Sequence, residues 1–169
     1  EEKYPQSFID KDQDKIIRLF CKIKTNKMKL VIAGDGPLKT ELTTLVDELK
    51  LKNQVIFCGM LKRNDVYTLL SISTYFIMLS KTEGHSVSLL EAMGYGCVPI
   101  LSKIDSFTES VNKNCSVFVD DKYEHKSILE NMLTIDPKSV KEYYELNYSS
   151  EKMMKEYNQV YQDMVLCIT

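Results

Sequence analysis

Glu83 and Glu91 are separated by seven residues in Glu83-Gly84-His85-Ser86-Val87-Ser88-Leu89-Leu90-Glu91, which follows the apolar run Tyr75-Phe76-Ile77-Met78-Leu79 and precedes Ala92-Met93-Gly94-Tyr95-Gly96-Cys97-Val98-Pro99-Ile100. This pattern suits the binding of a polyhydroxylated, phosphorylated ligand. A helix beginning near Ser86 exposes its first amide N–H groups without internal partners, and the peptide dipole favours an anion such as a diphosphate at that end. Gly84 has no Cβ to keep a ligand off the main chain. Ser86 and Ser88 either cap the helix or contact phosphate through their hydroxyls, and both roles stay open. Glu91 lies about one and a half turns into the helix, so its side chain can lean back toward the N-terminal end. An ionised carboxylate accepts two hydrogen bonds and fits the paired hydroxyls of a ribose or hexose. Taken singly, Glu83 is equally a solvated loop residue and Glu91 an exposed helix residue.

The elements that must position these groups read as alternating strands and helices. Helical spacing runs from Asp12 to about Lys24 through Ile16, Ile17, Leu19, Phe20 and Ile23. Met28 to Ala33 reads as a strand closed by Gly34-Asp35-Gly36-Pro37. Pro37 is expected in the first turn of a helix burying Leu38, Leu42, Leu45, Val46 and Leu49. Gln54 to Cys58 is a strand ended by Gly59, and Asn64 or Asp65 caps a helix holding Val66, Leu69 and Leu70. Then follow the strand Tyr75 to Leu79, the helix of the two glutamates, a strand from Cys97 to Leu101, a helix from Asp105 or Ser106 to Val111, and a strand from Ser116 to Val119. Apolar strands separated by helices imply an α/β, Rossmann-like parallel sheet covered on both faces, with right-handed crossovers. Beyond it, helical patterns cover Tyr123 to Leu133, Pro137 to Tyr144 and Ser150 to Met164, without a strand between them. Tyr143, Tyr144, Tyr148, Tyr157 and Tyr161 are expected to serve helix packing rather than nucleobase stacking.

Size and composition fit one domain spanning residues 1–169, with 44% hydrophobic and 27% charged residues. A chain of this length buries roughly 70% of the surface its unfolded form exposes. The net charge of -2 speaks against a general nucleic-acid binder. Cys21, Cys58, Cys97, Cys115 and Cys167 are odd in number and lack a Cys-x-x-Cys pair, so neither a disulfide framework nor a zinc site is implied and a reducing compartment is expected. Cys58 and Cys97 are expected as small core residues. With only His85 and His125 as histidines, too few for a histidine-rich metal site, no metal is implied.

The Glu83–Glu91 segment, Leu-Leu-Glu-Ala-Met at 89–93 and Gly-Cys-Val-Pro-Ile at 96–100 resemble the donor-binding region of group 1 (family 4) glycosyltransferases, retaining enzymes of GT-B fold. Leu30-Val31-Ile32-Ala33-Gly34-Asp35-Gly36-Pro37 and Val55-Ile56-Phe57-Cys58-Gly59 resemble further family segments in the same order, so the likeness extends over roughly residues 11 to 120. It implies the C-terminal, donor-binding half of a two-domain GT-B enzyme, with extra C-terminal helices, the last of which crosses to the other domain in the family. The chain opens on Glu1-Glu2-Lys3-Tyr4-Pro5, with no visible signal peptide, and is read as an excised piece.

The resemblance makes Glu83 the catalytic-site acid facing the donor sugar and Glu91 the acceptor of ribose hydrogen bonds. Gly84, His85, Ser86, Val87 and Ser88 complete the donor site, with 86–88 cradling the diphosphate and Phe57 to Met60 near the base. Where the family has a strand, a glycine turn and an Arg/Lys pair, this chain has Gln6-Ser7-Phe8-Ile9-Asp10-Lys11, leaving Lys11 as the candidate phosphate lysine. His85 stands where many relatives carry an aromatic, and Asn114-Cys115 where a glycine is common. The implied reaction is hexosyl transfer from a nucleotide-diphosphate sugar to an acceptor hydroxyl with retention, in bacterial surface polysaccharide or glycoconjugate synthesis, with no separate cofactor. The expected partners are that donor and a saccharide or lipid-linked acceptor reached through an N-terminal domain, in the cytoplasm or at the inner membrane face, with peripheral membrane association of the full-length enzyme left open. An alternative keeps the fold without the chemistry, as an interaction or regulatory module; the lacking arginine favours it and the two glutamates oppose it. A glycosidase is disfavoured because it needs two carboxylates flanking one bond. A dinucleotide oxidoreductase is disfavoured because Gly-x-Gly-x-x-Gly is absent.

Overall fold

A computed structural model describes residues 12–120 and 125–166. In chain order the elements are α1 (Gln13–Ile23), β1 (Leu30–Ala33), α2 (Lys39–Glu48), β2 (Val55–Gly59), α3 (Arg63–Ile72), β3 (Tyr75–Met78), α4 (Val87–Gly94), β4 (Val98–Ser102), α5 (Asp105–Ser110), β5 (Val117–Val119), α6 (His125–Thr134), α7 (Pro137–Tyr148) and α8 (Ser150–Leu166). All strand pairs are parallel, with β1 beside β2, and β4 between β3 and β5. The expected single sheet is thus two sheets among the described residues. The strand that the resemblance puts ahead of α1 falls in residues 1–11, and Lys11 with it lies outside the described residues.

Among the described residues four apolar clusters hold the layers together, the smallest made of Leu70, Ala92 and Cys97. Ile17 and Phe20 of α1 pack with Leu30, Leu45, Val46, Leu51 and Val55 around the first sheet. Leu19 and Ile23 of the same helix pack with Leu79, Ile100, Val117, Ile128 and Met132 on one side of the second. Helix α1 therefore joins both sheets, and the Asp12 amide donates to the Leu79 carbonyl at 3.0 Å. A third cluster has Leu89 and Met93 of α4, Val98, Leu101, Phe107, Val111, Cys115 and Val140. The second sheet is covered on both faces, as parallel strands require.

The first sheet departs from that pattern. Strand β2 alternates, burying Val55 while Ile56 and Cys58 are exposed. Cys97 is buried as expected, its thiol pushed up in pKa by burial, but Cys58 is an exposed residue. Among the described residues, the apolar cluster around this sheet takes Val55 and Phe57 from one face of β2 and leaves Ile56 and Cys58 on the other face exposed. Pro37 lies two residues before α2 rather than in its first turn, and of the expected buried face only Leu45 and Val46 are fully enclosed.

Helix ends depart from the sequence pattern more than helix bodies do. The N-cap of α3 is Lys62 rather than Asn64 or Asp65, with no side-chain hydrogen bond at the cap. The C-terminal end of α4 is fixed by a Schellman turn. The Gly96 amide donates to the Met93 carbonyl at 2.9 Å and the Cys97 amide to the Ala92 carbonyl at 3.0 Å. Gly96 sits at φ +79, and a Cβ there would meet the Pro137 carbonyl oxygen at 3.3 Å, so the residue serves both the turn and the approach of α7.

The tyrosines divide into two groups. Tyr143 and Tyr148 donate to the Ser110 carbonyl at 3.4 and 2.7 Å, and Tyr144 packs against α4 at Gly94. These three follow the packing expectation. Tyr157 and Tyr161 do not: they stand exposed on α8 with Met153, Met154, Val160 and Met164.

Candidate functional site

Parallel pairing brings the carboxyl ends of β1 and β2 to one edge, where the Gly34 amide donates to the Gly59 carbonyl at 2.7 Å. The carboxyl end of β3 leads through residues 79–86 into α4. Ligands of open α/β sheets bind outside such strand ends because loops and helix N-termini gather there.

Ser86 resolves one alternative that the sequence leaves open. It is the N-cap of α4: its Oγ accepts from the Leu89 amide at 3.4 Å and lies 3.3 Å from the Ser88 Oγ. The Ser86 hydroxyl also donates toward the Met78 sulfur at 3.4 Å, which ties the cap to the end of β3. Among the described residues, no protein acceptor takes the amides of Val87 or Ser88. Their side chains are exposed, Val87 at 66%, so the mouth of α4 is open to solvent. Free amide donors at the positive end of a helix favour an anion. Gly84 lies in open space, where a Cβ built on it meets nothing within 4 Å.

The two acids are held separately. Glu83 is half-buried in the loop, and its Oε1 accepts from the hydroxyl of buried Ser80 at 3.1 Å. Ser80 is itself fixed, because its amide donates to the Ser102 Oγ at 2.8 Å. Glu91 lies on α4 with its side chain 28% exposed. Its Oε1 accepts from the Tyr67 hydroxyl at 3.2 Å and sits 3.5 Å from Nη2 of Arg63. Neither carboxylate is therefore a freely solvated side chain.

Arg63 and Tyr67 were not among the residues the sequence singled out. The Arg63 Nε donates to the Tyr67 hydroxyl, and its Cζ stands 5.5 Å from the Tyr67 ring centroid. The Tyr67 ring in turn lies 5.9 Å from that of Tyr95. The bond to Tyr67, followed by the attraction of Tyr67 and Glu91, holds the guanidinium above its ordinary pKa. Spacing of four on a helix puts Arg63 and Tyr67 on one face, which was the available signal.

His85 also has a neighbour. Its ring stands edge-on to Tyr148, with centroids 6.4 Å apart. Because Tyr148 is anchored to Ser110, the loop carrying His85 rests on the end of α7. Among the described residues no group of three or more His, Cys, Asp or Glu side chains could hold a metal ion. No helix among them is long and apolar enough to cross a membrane.

The sequence profile described as "Glycosyl transferases group 1" matches residues 4–153. The chain belongs to this family. It is similar to N-acetyl-alpha-D-glucosaminyl L-malate synthase of Bacillus anthracis, with 25% identity over 161 residues that cover 89% of this chain and 42% of that protein. It is also similar to the O-antigen biosynthesis glycosyltransferase WclY of Escherichia coli, with 28% identity over 148 residues, 83% of this chain and 40% of WclY. This group 1 chain thus spans about two fifths of the length of these relatives. Among solved structures, Anabaena HepE in complex with UDP superposes with a TM-score of 0.75 at 16% identity, covering 90% of this chain and 45% of HepE. That likeness establishes the α/β Rossmann-like fold of parallel strands flanked by helices, which corresponds to under half of the HepE structure.

Proposed function

We propose that this chain is the donor-binding half of a group 1 glycosyltransferase that moves a hexosyl group from a nucleotide-diphosphate sugar to an acceptor hydroxyl with retention. The observation that carries this reading is the open mouth of α4. Among the described residues the amides of Val87 and Ser88 have no protein acceptor there, while Ser86 caps the Leu89 amide, on the helix that bears Glu91. The diphosphate meets the amides of Val87 and Ser88 and the hydroxyl of Ser88. Glu91 accepts from the ribose, while Glu83 and the main chain at Gly84 and His85 face the sugar. In the transfer the bond from the anomeric carbon to the diphosphate oxygen breaks, and a bond to the acceptor oxygen forms with the same configuration. Amide dipoles aimed at the departing diphosphate stabilise the charge it gains, without reorganisation at the moment of reaction. Lys11 is the lysine assigned to the same anion.

Support for the donor comes from HepE, solved with UDP bound and built on the same fold. Support for a bacterial polysaccharide or glycoconjugate acceptor comes from relatives such as WclY. The share of the relatives' length covered here supports placing the acceptor site on a further domain, so the isolated chain is expected to bind donor and turn over poorly.

Titration calorimetry with UDP, GDP and ADP tests this reading. At least one of them is expected to bind with a Kd below about 1 mM, a standard free energy of roughly -4 kcal/mol. Heat-free titrations of a folded sample with all three at millimolar concentration would contradict it, and would favour an interaction module that keeps the fold alone.

A further inference from the structure

We propose that Arg63 and Tyr67 are positioning residues for Glu91, fixing its carboxylate so that Oε1 stays with the protein and Oε2 is presented to the ribose hydroxyls of a bound nucleotide. The inference rests on the donor-site reading above and adds what sets the ribose specificity of that site.

The direction of the hydrogen bonds follows from the groups involved. A guanidinium only donates, so the Tyr67 oxygen accepts from the Arg63 Nε. The phenolic proton is then left for the carboxylate, whose Oε1 lies 3.2 Å away. The Arg63 Nη2, at 3.5 Å, reaches the same oxygen. Both donors from α3 thus converge on one atom of Glu91. Among the described residues, Oε2 receives no protein donor.

Rigidity comes from the rings. Tyr67 has the Arg63 guanidinium carbon 5.5 Å from its ring centroid and the Tyr95 ring 5.9 Å away, inclined by 31°. Tyr95 is the C-cap residue of α4, the helix that carries Glu91, so the latch ties α3 to both the middle and the end of α4. A glutamate has three side-chain torsions, and ordering them before the ligand arrives lowers the entropy cost of binding. Bonds to a charged acceptor are stronger than neutral ones. An α3 displaced from α4 would leave Glu91 able to swing toward solvent.

The experiment compares ribose with a sugar lacking both hydroxyls. The wild-type chain, Tyr67→Phe and Arg63→Met are each titrated calorimetrically with UDP and 2′,3′-dideoxy-UDP, and with the adenosine and guanosine pairs. Wild type is expected to prefer the ribose form by about tenfold or more. Tyr67→Phe keeps the ring and removes only the hydroxyl. It is expected to weaken the ribose form about fivefold and leave the dideoxy form unchanged, so that the preference shrinks. Arg63→Met is expected to act in the same direction and less strongly, because its side chain is 77% exposed.

A merely structural role would weaken both forms alike and leave their ratio as it was. An unchanged ratio in both variants, with wild type still discriminating, overturns the positioning role while the donor site stands. Binding by wild type without preference removes both the ribose contact of Glu91 and its positioning. Absence of binding to every nucleotide overturns the donor-site reading and this inference with it.

Discussion

Replacing Glu91 by alanine is expected to lower the affinity for the cognate nucleoside diphosphate by roughly ten- to a hundredfold, while the fold survives. A hydrogen bond to a charged acceptor contributes about 1.5–3 kcal/mol, and every 1.4 kcal/mol is a factor of ten in Kd. Stability should change little because Glu91 contributes no core packing. The buried face of α4 is Leu89, Ala92 and Met93, and alanine is a better helix former than glutamate. Arg63, deprived of its partner, simply rehydrates, since its side chain already stands mostly in water. Calorimetric Kd values and a thermal melt of the same variant separate the two effects. An unchanged affinity would remove Glu91 from the site, and a collapsed melt would make it a structural residue.

Phe107→Ala is expected to have the largest effect on stability, about 3–5 kcal/mol, because it deletes a buried aromatic ring and leaves a cavity. Phe107 is 1% exposed on α5 and packs in the cluster that includes Leu89 and Met93 of α4, Val98, Leu101 and Val140. For a domain of this size, roughly 2–4 °C of Tm is lost per kcal/mol, so a drop of about 6–20 °C is expected in differential scanning calorimetry. Phe107→Leu retains most of the apolar volume and should cost less than half as much. The site feels this change because Leu89, whose amide Ser86 caps, rests on the same cluster. Nucleotide affinity should therefore fall in Phe107→Ala at temperatures where the variant is still folded. A Tm within 2 °C or so of wild type would contradict the packing described here.

The parts of this architecture that local chemistry determines are visible in the sequence. Helix α4 begins at Ser86 because a serine precedes an apolar run, and it stops at Gly96 because only a residue tolerant of positive φ closes a Schellman turn there. The strands are short apolar runs, and the sequence pattern locates each to within about two residues. What could not be read is what depends on distant neighbours. Cys58 looks like Cys97 in its local sequence, yet Cys97 is buried against Leu70 and Ala92 while Cys58 lies on the face of β2 that is exposed among the described residues. Lys62 caps α3 although Asn64 and Asp65 are better capping types, since the chain leaving β2 turns earlier than their positions.

The latch on Glu91 is the clearest case in the site itself. Arg63 and Tyr67 share a helix face at spacing four, but nothing local says that this face turns toward a carboxylate 24 residues on from Tyr67. The stripe of Met153, Tyr157, Val160, Tyr161 and Met164 on α8 is likewise legible as amphipathic, and the sequence does not say whether it is buried; here it is exposed. The role of Tyr148 as a support for His85 required the return of α7 to α5, which only the packing around Ser110 reveals.

The central claim, that the mouth of α4 receives the phosphates of an activated sugar, is tested most directly by following backbone amides by nitrogen–proton NMR during titration with the nucleoside diphosphate that binds. The Val87 and Ser88 amides are expected to show the largest downfield proton shifts, with the Leu89 amide moving less because Ser86 already engages it. The nucleoside alone, without its phosphates, should leave those two signals in place. Saturable binding that leaves Val87 and Ser88 unmoved while other amides shift would contradict the account.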